Sequence, residues 1–156
     1  VGQGVTSGTT QTTFSPSAVC TRAQTVTFLW RAAGSPEPQT TVSPFTDVSS
    51  DAYYYDAVLW AVEQGITTGT TATTFTPDAT VTRAQTVAFL WRAAGTPAST
   101  GTNAFSDVSG DAYYHDAVLW AVDQGVTNGT TATTFAPAQG CTRAQTVTML
   151  YRCYGQ

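Results

Sequence analysis

The hexapeptide Thr-Arg-Ala-Gln-Thr-Val occurs three times in this chain, starting at Thr21, Thr82 and Thr142, with spacings of 61 and 60 residues. A period of this length marks a repeat architecture, in which each unit buries its apolar face by stacking on its neighbours. Residues 45–95 and 105–155 align without a gap and are identical at 35 of 51 positions. Residues 1–34 match only the second part of that unit, with Val1 to Thr6 aligned to Val62 to Thr67. The linkers 35–44 and 96–104 carry Pro36, Pro38, Pro44, Pro97 and Gly101, as connectors should. The expectation is one domain, 1–156, made of a partial repeat 1–34 and complete repeats 45–95 and 105–155.

Each complete unit reads as two helices joined by a loop. The first helix is expected from about Asp51 to Gln64, and from Asp111 to Gln124. Tyr54, Val58, Ala61 and Val62 recur there at helical spacing. Ser49 and Ser50 are expected to cap its start, Asp51 to suit the positive end of its dipole, and Gly65 and Gly125 to end it. A Thr- and Gly-rich loop follows, in which Phe75 and Phe135 are expected to fold inward. The second helix starts at the repeated hexapeptide. Thr82-x-x-Gln85 is a capping box, in which threonine and glutamine satisfy each other's backbone N–H groups. Its apolar stripe is Ala84, Val87, Leu90, Trp91 and Ala94. Residue 88 is Ala where the other copies have Thr27 and Thr148, which places it on the solvent side.

One unit cannot bury a two-helix apolar face alone. Three units around an approximate threefold axis can, which predicts an all-α bundle with the second helices at its centre. That arrangement wants six helices and the sequence supplies five. The sixth is expected from chain upstream of Val1, with a cargo segment before it, or alternatively from a partner chain. No signal peptide is visible at Val1.

At 42% apolar and 10% charged, the chain is built for a globular core, and no apolar run approaches the ~20 residues of a membrane-spanning helix. The net charge of −4 argues against nucleic acid as a partner. It still allows an anionic ligand held by local arginines. The hydroxyl-rich, lysine-free surface suits an extracellular setting. Zinc is not expected, because no two cysteines stand at C-x-x-C spacing and there is one histidine. No cofactor is expected either. Cys20 and Cys141 share one repeat position; they read as buried apolar residues or, near the axis, as a disulfide. Cys153 aligns with Ala32 and Ala93 and reads as buried and free.

Phe-x-Asp-Val, Tyr-x-Asp-Ala-Val-x-Trp-Ala, Gly-Ile-Thr-x-Gly, Phe-x-Pro and Val-Thr-Arg-Ala-Gln before Phe-Leu-Trp-Arg follow one another in this order. Together they resemble the S-layer homology family, over nearly the whole chain. The resemblance implies a pseudo-threefold spindle of helix-loop-helix repeats, a secreted protein at the bacterial cell surface, and non-covalent attachment to the cell wall. It implies secondary cell-wall polysaccharide as the partner, often bearing a pyruvate ketal, held in grooves between repeats. Carried over, ligand binding falls on Arg22, Arg83 and Arg143, on Gly8, Gly69 and Gly129 where backbone nears the sugar, and on the first-helix aromatics Trp60 and Trp120. The chain departs from the family at the loop Gly69-Thr-Thr-Ala-Thr-Thr-Phe75, which lacks the usual aromatic and acid. Gln24, Gln85 and Gln145 replace the signature glutamate.

The residues support part of this independently. Arg22, Arg83 and Arg143 fall in the first turn of a helix, where the dipole disfavours a cation by ~0.3–1 kcal/mol. A guanidinium there is expected either to bind a carboxylate in bidentate fashion or to bridge to Asp47, Asp56 or their equivalents. Arg83 and Arg143 have complete repeats around them; Arg22 does not. Arg31, Arg92 and Arg152 sit in the last turn, where a cation favours the dipole, and read as structural. Trp30 and Trp91 read as core. Trp60 and Trp120 are open between core and groove wall, and Tyr53, Tyr54 and Tyr55 divide between core and surface. His115 aligns with Tyr55 and lacks a repeated nucleophile beside it, and the acids recur once per unit as architecture would. The expected function is non-catalytic anchoring to a wall glycan, with a protein-interaction surface module as the alternative.

Overall fold

The computed structural model describes residues 4–10 and 12–155. The start of the first repeat, Val1 to Gln3, lies outside the described residues, as do Gln11 and Gln156. Five helices follow in order: α1 (Arg22–Ala32), α2 (Tyr55–Glu63), α3 (Arg83–Ala93), α4 (His115–Asp123) and α5 (Arg143–Tyr154). Among the described residues there is no sheet; three isolated antiparallel bridges, such as Thr21 to Thr80, join the segments ahead of the second helices.

α1, α3 and α5 begin as their sequence predicts. Thr21, Thr82 and Thr142 stand in extended conformation and accept from the N–H of Gln24, Gln85 and Gln145. Each glutamine carboxamide oxygen accepts the N–H of its threonine in return. The N–H groups of the first two helical residues are satisfied by the following repeat. Arg22 and Ala23 donate to the carbonyls of Ala79 and Pro77, Arg83 and Ala84 to Gln139 and Pro137, and Arg143 and Ala144 to Ala18 and Pro16. Just before them, the N–H of Cys20 bonds to the Cys141 carbonyl, Cys141 to Val81, and Val81 to Cys20, each at 2.9 Å. The three strands of chain thus close a ring of hydrogen bonds around the pseudo-threefold axis. Cys20 and Cys141 lie fully buried in this ring as free thiols. Burial pushes the Cys20 thiol above its ordinary pKa. Cys153 is also free but only partly buried.

The helix pairing crosses repeat boundaries. α2 packs on α1, α4 packs on α3, and α1, α3 and α5 meet at the centre. The first helix of a repeat therefore covers the second helix of the preceding one. Val26, Leu29, Val87, Leu90 and Leu150 of the central helices and Val58, Ala61, Val118 and Ala121 of α2 and α4 are buried in one core.

Two local expectations change. The first helix begins at Tyr55 and His115 and has no side-chain cap. The Ser49 and Ser109 hydroxyls bond to Asp51 and Asp111 instead, within turns closed by Ala52 N–H to Ser49 O and Tyr55 N–H to Ala52 O. Residue 88 does not face solvent: Ala88 and Thr27 are buried and only Thr148 is exposed. The difference follows the packing, since α1 and α3 each carry a first helix and α5 carries none among the described residues. The far end of α2 is as expected. Gly65 takes φ +67, its N–H bonds to Val62 O, and Ile66 N–H reaches Ala61 O, a Schellman ending that favours glycine.

The Thr-rich loops are pinned by the Phe-x-Asp-Val segments. Asp47 accepts the N–H groups of Phe75 and Thr76 at 2.8 and 2.7 Å, and Asp107 those of Phe135 and Ala136 at the same distances. Phe75 and Phe135 are fully buried behind these bonds, the anchors the sequence predicts. The threonines at positions 71 and 131 each accept two N–H groups from their own loop, so the loop holds its turn without an acid.

Two stability measurements check this account. Thr82→Ala removes a cap acceptor, and urea unfolding should show a loss of about 1 kcal/mol. The bond from the Phe135 N–H holds the Asp107 carboxyl below its ordinary value of 3.8. A depressed folded-state pKa gives stability that is complete above the unfolded value and is lost as pH falls through the folded one. Asp107→Asn should therefore lower the urea midpoint at neutral pH, and the gap from the parent chain should close as pH falls below about 4.

Candidate functional site between repeats

Arg22, Arg83 and Arg143 leave the helix start sideways and run into the next repeat. Their Nε–H groups donate to the carbonyls of Phe75, Phe135 and Phe14 at 2.8, 2.8 and 2.9 Å. Their guanidiniums lie over the same phenylalanine rings, with Cζ 4.8, 4.8 and 5.0 Å from the ring centres. Arg22 also faces Phe89, and Arg143 faces Phe28. All three side chains are buried, at 4%, 3% and 4% exposure. None makes an ion pair among the described residues. The expected bridge to Asp47 is absent because that carboxylate is occupied by loop N–H groups.

The second nitrogens of the guanidiniums differ. Arg143 Nη2 donates to the Thr6 hydroxyl at 3.2 Å. Arg22 Nη2 and Arg83 Nη2 are buried and have no acceptor among the described residues. Buried donors in native folds are nearly always paired, so these two are an exception that needs a cause. Burial pushes both guanidiniums below the ordinary arginine value, with Tyr113 and Asp47 opposing that at Arg22, and Cys141 and Asp107 at Arg83. Arginine remains charged regardless at physiological pH.

Both arginines line a groove. Arg22 lines one of about 300 Å³ with Gly69, Gln85, Phe89, Arg92 and Tyr113. Arg83 lines one of about 360 Å³ with Gly129, Gln145, Thr148, Met149 and Arg152. Each groove thus combines a first-turn arginine, the loop glycine of the next repeat, and the capping glutamine and last-turn arginine of that repeat's second helix. Arg92 and Arg152 also donate to the Ile66 and Val126 carbonyls, so their structural role coexists with a place on the groove wall.

The glycines have their own steric reason. Gly69 has φ +87, and a Cβ there would come within 2.5 Å of Phe45 and two loop carbonyls; Gly129 meets Phe105 in the same way. Gly8 is held by the Thr10 and Thr13 carbonyls. Gly69 and Gly129 thus let the loop fold and present bare backbone to the groove.

Trp60 and Trp120 do not reach either groove. They are 7% and 6% exposed and belong to the core, because the faces that carry them pack on α1 and α3. The aromatics exposed beside the first helices are Tyr53 and Tyr113, two residues ahead of α2 and α4, at 62% and 59% exposure. Tyr113 borders the Arg22 groove. Burial raises both phenols above their ordinary pKa, and Arg31 and Arg143 near Tyr53 oppose this, as Arg92 and Arg22 do near Tyr113. The signal in the sequence was their recurrence at one repeat position outside the apolar stripe.

Arg22 thus lines a groove walled by the second and third repeats, although its own repeat is partial. Its loop partner comes from the second repeat and its tyrosine from the third. The arginine that depends on the partial repeat is Arg143, which leans on Phe14 and Thr6. Among the described residues no cluster of three or more His, Cys, Asp or Glu is placed to hold a metal. No helix is long and apolar enough to cross a membrane.

The S-layer homology domain profile matches residues 1–26, 44–87 and 104–147. The chain is 35% identical over 123 residues to an endoglucanase of Bacillus sp. (strain KSM-635), covering 79% of this chain and 13% of that protein. It is 34% identical over 98 residues to the surface-layer 125 kDa protein of Lysinibacillus sphaericus, covering 63% of this chain and 8% of that protein. The chain spans only a small part of each of these relatives. The three profile matches, one on each copy of the hexapeptide, take in most of the sequence, and the chain belongs to the S-layer homology family.

Proposed function

We propose that this chain is a non-catalytic module that attaches a secreted protein to the bacterial cell wall by binding an anionic secondary wall polysaccharide between its repeats. S-layer homology domains are cell-wall anchoring modules. An endoglucanase and a surface-layer protein share this segment as a small part of their length, which supports a portable attachment role at the cell surface. The observation that carries the reading is the pair of buried, acceptor-less Nη2 groups of Arg22 and Arg83 at the inter-repeat grooves.

A carboxylate on the glycan, such as a pyruvate ketal, supplies the missing acceptor. The planar guanidinium presents parallel N–H groups to it, and the low dielectric between two phenylalanine-lined repeats strengthens the bond. Arg92 and Arg152 add a second positive charge to each groove wall. Gly69 and Gly129 let sugar approach the backbone, and Tyr113 offers the Arg22 groove a ring face for stacking. Several grooves on one polymer add avidity without tight individual contacts.

Replacing Arg83 and Arg143 with alanine should abolish co-sedimentation with purified wall sacculi. Because these side chains also bond to loop carbonyls, Arg22→Lys and Arg83→Lys serve as gentler variants. They keep the charge and lose the fork, and each should weaken polymer binding by about 1.5–3 kcal/mol, roughly 10- to 100-fold, by calorimetry. Undiminished binding in variants with native circular dichroism overturns the arginine assignment. Sacculi stripped of secondary polymer should not bind; if they do, the protein-interaction reading replaces this one. Comparing pyruvylated with non-pyruvylated polymer tests the ketal directly.

The grooves are also unequal. Tyr113→Ala should lower affinity at the Arg22 groove, whereas the Arg83 groove has no aromatic wall residue of this kind to lose. Calorimetry on Tyr113→Ala in an Arg83→Lys background isolates that effect. An unchanged isotherm removes Tyr113 from the site.

A further inference from the structure

Three residues at one repeat position meet on the pseudo-threefold axis, and two of them are thiols. Val19 forms an antiparallel bridge with Thr142, which sets Cys20 directly opposite Cys141. The Cys20 N–H donates to the Cys141 carbonyl at 2.9 Å. Residues opposed in this way have Cα atoms about 5.5 Å apart, inside the roughly 4.4–6.8 Å that a disulfide spans. The Thr146 hydroxyl donates to Cys141 Sγ at 3.4 Å. Burial raises the Cys20 thiol above its ordinary pKa and a hydrogen bond to the same hydroxyl opposes this, so both sulphurs gather at one group. Val81 fills the third place, and all three residues are fully buried. Cys153 stands near the far end of α5, roughly 15 Å along the helix from its start.

We infer that Cys20 and Cys141 are a disulfide-forming pair, oxidised by exchange with a low-molecular-weight disulfide to a bond that ties the first repeat to the third across the axis. The free thiols are then its reduced form. In the first step one protein thiolate attacks the small disulfide, forms a mixed disulfide and releases one small thiol. The second protein thiolate attacks the protein sulphur of that intermediate, the Cys20–Cys141 bond forms, and the second small thiol leaves. The two thiol protons of the protein end on the two released thiols; the chain gives up two electrons and the small disulfide takes them. The exchange takes place before the ring closes or while it is open, because in the closed ring both sulphurs are fully buried and burial disfavours the Cys20 thiolate. Once made, the bond is shielded from reductants by the same burial. It closes a loop that spans most of the chain, the case in which a cross-link restricts the unfolded state most. Valine suits the third place, since a third thiol there would have no partner. This inference concerns the axis and stands whether or not the grooves bind glycan.

The test refolds the intact chain from urea in a mixture of oxidised and reduced glutathione and then alkylates the remaining thiols. One alkylated cysteine, Cys153, is expected, together with a tryptic pair joining residues 1–22 to residues 93–143. The oxidised chain should unfold at a higher urea midpoint than the reduced chain, and reductant added to the unfolded chain should abolish the gap. Cys20→Val and Cys141→Val supply the side chain that Val81 already places on the axis, so each should fold and lose both the cross-link and the gap. Cys153→Ala, which matches Ala32 and Ala93, should keep both. Three alkylated thiols, a bridge to Cys153, a bond between two chains, or a cross-linked chain no more stable than the reduced one would each overturn the inference.

Discussion

The exchange of backbone hydrogen bonds at the starts of α1, α3 and α5 is the constraint on which the rest of the molecule depends. A helix start exposes N–H groups that must find acceptors. Here the capping threonine serves one, and two more are served by carbonyls of the next repeat. Around the axis, Cys20, Val81 and Cys141 pass one further bond from repeat to repeat until the circle closes. No repeat can satisfy its own helix start, so the third repeat returns to the first and the partial repeat is held in the ring. This closure fixes where each loop lies, and the grooves are the spaces the closed ring leaves at its rim.

The arginine of the repeated hexapeptide belongs to the same exchange. On sequence alone its place in a first turn is unfavourable, which makes it look like a residue kept for a ligand. The structure supplies a mechanical reason as well: one nitrogen bonds across to a phenylalanine carbonyl and the guanidinium covers that ring. The free positive end of the helix is also weaker than its sequence implies, because its N–H groups already face carbonyls. What the mechanical role leaves over is one buried nitrogen on Arg22 and on Arg83. A side chain that locks two repeats together and still has a donor to give holds its binding group rigidly, and rigid donors lose little entropy on meeting a ligand.

Sequence reading succeeded where the cause is local. Capping boxes, the glycine after Gln64 and the burial of Phe75 and Phe135 follow from residues close together in the chain. It failed where the cause is the identity of a neighbour. The apolar face of α2 was legible, but periodicity says only that a face is buried, not against what. Trp60 therefore remained open between core and groove until α1 proved to be its cover. The same gap hid the surroundings of Arg22, whose groove is built from the second and third repeats, and hid Tyr113, which lies ahead of α4 in a turn that the sequence reading had assigned to the helix. Ala88 shows the converse: its threonine counterparts invite an exposed reading, yet only Thr148, on the helix without a cover, is exposed.

The third inter-repeat site shows how one partial repeat breaks the symmetry. Phe14 is only partly buried, and among the described residues no carboxylate accepts the N–H groups beside it as Asp47 and Asp107 do beside Phe75 and Phe135. The loop shares with the second repeat a hydroxyl contact, Thr9 to Ser15 at 2.7 Å here and Thr76 to Thr70 at 2.8 Å there. Thr6 and Thr67 each accept the N–H of the following loop glycine, but Arg143 Nη2 also reaches the Thr6 hydroxyl, while Arg22 Nη2 has no partner among the described residues. A ligand at Arg143 must displace a neutral hydroxyl, and at Arg22 it displaces no protein acceptor. For the proposed anion ligand Arg83 is then the equal of Arg22, and both differ from Arg143.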